Sequence, residues 1–334
     1  MNNTNNLHDR HLSDDELREK VARLRKAKTV WRWATGISLS LSCLCLFLFF
    51  ASYFAPDRLA AYSVFLLCAF AIIFLIFLIF SQFLSMVKNK IRVIISESIL
   101  PELLCEKFTN VTYNSKGHIS RELIDHVDIV DKGTLLRVFA GAFKGRNHFL
   151  GLYKGRRVEF SDIWVFTQIR NSVEGSARTI TYFKGPWMTF DFGMHVPTRI
   201  KIRSRSGDFA EGKKAESNVI TPNTGFNLRF HVVADNPNLA AYILTPEFMQ
   251  RVIKIDNGRL RMCLEPGRAH VAYNTSSNPV DFTGKDSGHY TFEVTGEEWE
   301  MADLDKLRDR FRQEIRHLTD VIDIICDGDG LSRS

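Results

Sequence analysis

The stretch Val64-Phe65-Leu66-Leu67-Cys68-Ala69-Phe70-Ala71-Ile72-Ile73-Phe74-Leu75-Ile76-Phe77-Leu78-Ile79-Phe80 decides the architecture of this chain. As a helix it is apolar on every face, whereas a helix on a globular core shows an apolar stripe and a polar side. Only a hydrocarbon solvent suits such a surface. The stretch lies inside a longer apolar segment, Ala60 to Val87, and a second one, Trp33 to Phe54, precedes it across the short turn Ala55-Pro56-Asp57-Arg58-Leu59. A helix needs about 20 mostly apolar residues to cross a hydrocarbon layer of about 30 Å, and neither segment contains Asp, Glu, Lys or Arg. The sequence therefore predicts two transmembrane helices, residues 33–54 and 60–87. A cleaved signal peptide is a poor fit, because its apolar region runs to about 7 to 15 residues near the N-terminus. Here the first span is longer, begins late and is followed by another.

Basic residues near the ends of membrane spans stay on the cytoplasmic side. Arg18, Lys20, Arg23, Arg25, Lys26, Lys28 and Arg32 precede the first span, Lys88, Lys90 and Arg92 follow the second, and the intervening turn holds only Arg58 beside Asp57. The expected topology is a multi-pass membrane protein with both termini in the cytoplasm. Trp31, Trp33, Tyr53 and Tyr62 stand where interfacial rings belong.

Of the 334 residues, about 245 follow the hairpin, enough for one large or two small soluble domains. The net charge of +6 and pI near 9.0 would suggest nucleic acid, but many of the basic residues cluster at the membrane ends, so the bilayer, not nucleic acid, is the expected partner. Cys43, Cys45 and Cys68 fall in the spans and Cys105, Cys263 and Cys326 stand singly; no disulfide framework or metal pair emerges, in keeping with a reducing compartment.

In chain order, residues 1–29 form a polar tip and a basic helix, opened by Ser13 with Glu16 three residues on as a capping box. Residues 30–87 carry the spans. Residues 88–133 read as a helical stalk, which Pro101 should end or kink, and a connector with a short helix near Ser120 to Asp125. From residue 134 to 300 the period shifts toward two, giving strands at Leu135 to Phe139, His148 to Tyr153, Arg157 to Phe166, Thr179 to Phe183, Trp187 to Phe192, Thr198 to Arg203 and Asn227 to Val233. Lys154-Gly155 and Gly185-Pro186 are the expected tight turns. A polar stretch at 204–225 marks a break between subdomains. Thr245 and Pro246 then open a helix reaching Ile255, Arg259 to Leu264 and Arg268 to Tyr273 form a hairpin, and residues 301–326 make an amphipathic helix before the tail at 327–334. The fold class expected is α+β: an N-terminal transmembrane helical hairpin followed by a cytoplasmic antiparallel β domain covered by helices.

Four pieces carry a resemblance to a known group: Phe139-Ala140-Gly141-Ala142-Phe143-Lys144-Gly145; Gly151 to Asp162; Tyr182-Phe183-Lys184-Gly185; and Phe226 to Val252 with Tyr242-Ile243-Leu244-Thr245-Pro246-Glu247-Phe248 at its centre. The chain resembles the bacterial membrane proteins of domain-of-unknown-function family 3137, in its hairpin and closing helix as well. The resemblance implies this architecture, no established activity, and partnership with LemA-type membrane proteins. The chain departs from the family pattern in its loop at Ser204 to Gly225 and its short turn at Asp256 to Gly258.

The sequence shows no phosphate-cradling glycine loop, no His-Glu-x-x-His and no serine elbow, so no catalytic, metal or cofactor residues are assigned. His118, His126, His195, His231 and His270 are dispersed, and Cys263 has no activating base in its pattern; each reads as a structural residue. Asp327-Gly328-Asp329-Gly330 lacks the spacing of a calcium loop. Alternate residues of a strand share a face, so Arg199, Lys201, Arg203 and Arg205 form one cationic row, either an anionic-lipid or phosphate surface or an ordinary solvated face. On the last helix, Leu304, Phe311 and Ile315 are a partner surface if exposed and a core stripe if packed on the sheet; packing is expected. The chain thus reads as a membrane-anchored cytoplasmic binding or scaffolding protein without recognisable catalytic machinery, the alternative being a ligand sensor or enzyme whose site is assembled from residues distant in sequence.

Overall fold

The computed structural model describes residues 13–52, 63–130, 142–170, 177–205, 217–276, 280–281, 290–293 and 304–326. They fall into two compact units, Asn5–Ser98 and the chain from Ile99 onward. The expected strand at Leu135 to Phe139, the turn at Ala55 to Leu59 and the tail at 327–334 lie outside the described residues.

The first unit is a pair of long helices, α1 (Asp14–Ser52) and the greater part of α2 (Ser63–Cys105). The capping box forms as expected: Glu16 N–H donates to Ser13 Oγ while Ser13 N–H donates to the Glu16 carboxylate. Trp31 lies against Phe80 and Phe83 with ring centroids 5.3 and 5.0 Å apart, so α1 and α2 run antiparallel. Leu17 and Val21 on α1 and Ile91 and Ile95 on α2 are buried. Elsewhere the apolar side chains point outward, Phe47 being 68% exposed and Val64 and Phe65 each 71%.

The second unit is an antiparallel sheet with helices on both faces. Its strands are β1 (Thr109–Asn114), β2 (Ala142–Tyr153), β3 (Arg156–Arg170), β4 (Ala177–Asp191), β5 (Ile200–Ser204), β6 (Phe230–Ala234), β7 (Leu260–Glu265), β8 (Arg268–Tyr273) and the short β9 (Val280–Asp281). Their spatial order is β1-β2-β3-β4-β8-β7-β5-β6, with β9 pairing β4. Positive φ at Lys154 and Gly155 turns β2 into β3, and Pro266 with Gly267 turns β7 into β8. On one face α3 (Arg121–Val127) and the residues around it bring Ile119, Ile124, Val127, Ile129 and Val130 onto Ile163, Val165, Phe183 and Trp187.

The other face is covered by α6 (Pro246–Ile255) and α7 (Leu304–Cys326), after the shorter α4 (Thr224–Arg229) and α5 (Pro237–Ile243). The expected Thr245 cap and Pro246 start of α6 are present, with Thr245 Oγ1 accepting from Phe248 N–H at 3.2 Å. On α7, Leu304, Leu307, Phe311, Ile315, Leu318 and Ile322 are all buried. Phe108, Phe149, Phe160, Phe292 and Phe311 form a continuous chain of ring contacts, with successive centroids 5.2 to 5.6 Å apart, that ties the segment before β1, strands β2 and β3, and α7 together.

Three local expectations are corrected. Gly185-Pro186 is no turn: β4 runs straight through it, and Gly185 is required because a Cβ there would meet the Tyr273 carbonyl oxygen at 2.2 Å. The missing Pro186 N–H falls just beyond the last rung between β4 and β8, where no partner is lost. Pro101 does not end α2, which continues to Cys105; complete burial of Ile99, Leu100 and Leu104 outweighs one forfeited backbone bond. Asn227 begins no strand, since Asn223 caps α4 and Asn227 makes three hydrogen bonds with Thr221, leaving β6 to start at Phe230.

The outer edge of β6 is closed by side chains. Asn218 offers its amide like a peptide unit: Oδ1 accepts from Ala234 N–H at 2.9 Å and Nδ2 donates to Ala234 O at 2.8 Å. Ser217 Oγ accepts from Val232 N–H, and Val219 N–H donates to Val232 O. An open edge is a template for pairing with another chain. Asn218→Ala should cost about 1 to 2 kcal/mol and raise self-association, read by denaturant unfolding and light scattering of the detergent-solubilised chain. Phe311→Ala should cost about 3 to 5 kcal/mol in the same unfolding assay, because it empties a filled core position; unchanged stability would mean that the α7 stripe is not core.

Candidate functional site

The cationic row lies on one face of the sheet edge as its alternation dictates, but its members have internal partners. Lys201 Nζ donates to Asp128 at 3.0 Å, Arg199 meets Glu265 at 3.5 Å and His126 Nε2 at 2.8 Å, and Arg205 Nε donates to the Phe230 carbonyl. Arg203 sits between them, opposite Arg261 on β7 and His231 on β6. On α7, Leu304, Phe311 and Ile315 are buried. The structure brings the row together and places the helix residues in the core.

Of the residues weighed singly, Cys263 is buried, and burial pushes its thiol up to about 12, so it is no nucleophile at neutral pH. His270 is fully buried in a satisfied chain: Nδ1 meets Thr189 Oγ1 at 2.9 Å, Nε2 meets Glu265 at 3.0 Å, and Trp187 Nε1 donates to the same Thr189 hydroxyl. Burial holds the imidazole below its ordinary range. Burial opposes the charge of Glu265, yet hydrogen bonding from His270 and the positive field of His126 and Arg199 keep its carboxylate below the usual range.

A different group of residues converges where sequence reading assigned nothing. Four consecutive residues, Tyr290-Thr291-Phe292-Glu293, are each anchored. Both Arg146 and Lys184 sit over the Tyr290 ring, at 3.4 and 4.4 Å from its centroid. Thr291 N–H donates to Asp162 Oδ1 at 2.9 Å, Phe292 enters the aromatic chain, and Glu293 takes a bond from Arg146 while its carbonyl accepts from Arg310 on α7. Register explains the polar supply behind this strap. Asp162 on β3 stands opposite Pro186 on β4, and Trp164 opposite Lys184, so that both polar side chains rise from neighbouring rungs. Asp162 is 0% exposed and Lys184 1%.

Beside the strap opens a pocket of about 320 Å³, lined by Tyr273, Tyr290, Thr291, Arg310, Glu314 and His317 among others. A shallower apolar groove along α1, at Trp33, Ile37 and Leu41, belongs to the helical pair and carries no ionisable group. Burial pushes the Asp162 carboxyl above its ordinary range, against the hydrogen bonds from Asn147 and Thr291 and the charge of Arg146. Burial raises Glu314 as well, despite His317 and Arg310, and the Asp162 charge adds to the shift. Among the described residues no group of three His, Cys, Asp or Glu side chains is placed to hold a metal ion. Perturbed carboxyls in a cleft mark binding or proton-transfer sites. The signal in sequence was faint: an alternation of aromatic and polar residues over four positions, and a Glu314-His317 spacing of one helical turn on the polar edge of α7.

Because its folded-state pKa is raised, Asp162 stabilises the fold fully below the ordinary carboxylate range near pH 4, and that contribution fades as the pH rises through the folded value. Glu314 acts in the same direction and Glu265 in the opposite one. Urea midpoints measured between pH 4 and 8 should therefore fall more in the native chain than in Asp162→Asn. Parallel curves would show that Asp162 does not titrate in that range.

No curated protein matches the chain. One solved structure, the crystal structure of the mycobacterial trehalose monomycolate transport factor A, TtfA, is similar at 13% identity over 62% of this chain and 88% of that one; its TM-score of 0.29 carries no argument about fold or function. Residues 181–326, from within β4 to the end of α7, match the family described as Protein of unknown function (DUF3137). That span contains two of the four quoted pieces, Tyr182 to Gly185 and Phe226 to Val252, together with the α7 wall of the pocket.

Proposed function

We propose that the chain is a membrane-anchored binding or scaffolding protein, held in a bilayer by α1 and α2 with both termini in the cytoplasm. The observation that carries this reading is the outward display of large apolar side chains on both helices; in water such a surface would have to be covered. The basic flanks of the helices support the orientation. The unit from Ile99 onward is then a soluble module whose described residues are packed and which presents a pocket of mixed apolar and ionisable lining for recognition. A LemA-type membrane protein is the first partner to seek.

A second reading, a ligand sensor or enzyme with a site assembled from distant residues, is favoured by one observation: Tyr273, Tyr290, and Arg310 with Glu314 come from three separate parts of the chain to one pocket. Sodium carbonate extraction should leave the chain in the membrane pellet, and reporter fusions at Met1 and Ser334 should both read as cytoplasmic. An extractable chain, or an exported reporter at either end, would overturn the anchor or its orientation. Crosslinking in membranes followed by mass spectrometry identifies the partner.

A further inference from the structure

We infer that the pocket beside the strap binds a small organic amine, its ammonium group seated on Glu314 and its carbon skeleton against Tyr273, Tyr290 and Leu318. This rests on reading the pocket as a binding site. The Glu314 carboxyl lies in the wall of the cavity and makes no hydrogen bond or ion pair with any described residue. That is unusual for a carboxylate withdrawn from water, whose cost is offset only by donors or counter-charge.

The neighbouring cations do not serve it. Arg310, one turn earlier on the same helix and well spaced for an i,i+4 pair, donates instead to the Glu293 carbonyl. Arg146 is bound to the Glu293 carboxylate and stacked on Tyr290. Burial keeps Glu314 above the ordinary carboxyl range even with Arg310 and His317 nearby, so the ionised form is short of positive charge. An ammonium supplies what is missing: a compact charge and three N–H donors, for which Glu314, the Thr275 and Thr291 hydroxyls and the Asn257 side chain offer acceptors around one cavity. The remaining wall sets Pro186, Tyr273, Tyr290 and Leu318, suited to a short carbon chain or ring, beside Glu293, Arg310 and His317, and about 320 Å³ holds a small metabolite and little more.

The test uses three probes of one shape and different charge, tyramine, 4-ethylphenol and 4-hydroxyphenylacetate, titrated against the detergent-solubilised full chain by calorimetry. Tyramine should bind, the neutral and anionic probes at least about tenfold more weakly, since charge-assisted bonds are the strong ones and Glu314 is half-buried. Glu314→Gln should abolish that preference while Glu314→Asp keeps part of it, with thermal unfolding confirming that both variants fold. Tyramine affinity should also weaken as the pH falls and Glu314 takes up a proton. Equal binding of tyramine and 4-ethylphenol, or a preference that survives Glu314→Gln, would refute the amine and leave the pocket a binding site. Binding of none of the three at millimolar concentration would refute both.

Discussion

The aromatic chain from Phe108 to Phe311 is the contact on which the rest of the second unit depends. Its five rings come from five places in the sequence, and the Phe108–Phe149 and Phe160–Phe292 links join elements far apart along the chain. Edge-to-face and stacked ring pairs are directional as well as apolar. They therefore fix the sheet to α7 and leave Phe292 one seat only. With Phe292 seated, Tyr290, Thr291 and Glu293 have no freedom to place their polar atoms elsewhere, and the ionic contacts of the strap follow from a hydrophobic decision.

This order of causes explains what was legible in the sequence. The two long apolar helices could be read because composition alone marks their extent. The hairpins at Lys154-Gly155 and Pro266-Gly267 could be read because their turn residues preset the backbone. The α7 stripe was visible at helical spacing, and only its neighbours were not. Gly185-Pro186 misled because a glycine chosen for close approach to the Tyr273 carbonyl looks identical, in sequence, to one chosen for a turn. Pro101 misled because local propensity was overridden by burial on both sides of it.

The pocket was illegible for a different reason. Pro186, Tyr273, Glu293 and Glu314 come from separate elements of the second unit and meet only through strand register and the seating of Phe292. No spacing rule connects them. The cationic row on β5, in contrast, was conspicuous in sequence and proved to be largely engaged with Asp128, His126 and Glu265. Charge patterns within a strand report which face a residue occupies; they do not report whether the fold brings counter-charge to that face.

The β6 edge has a meaning best put in the language of polymers. A sheet grows as a chain of strands, each new one bonding through the peptide groups left open by the last, and growth stops when something monofunctional occupies the end. Asn218 is such a terminator: its amide satisfies Ala234 on the inner side and has no second face with which to propagate. The width of the sheet is thereby set by the chain itself and not by dilution. Copies brought together meet at this edge where Val232 and Ala234 are already bonded within their own chain.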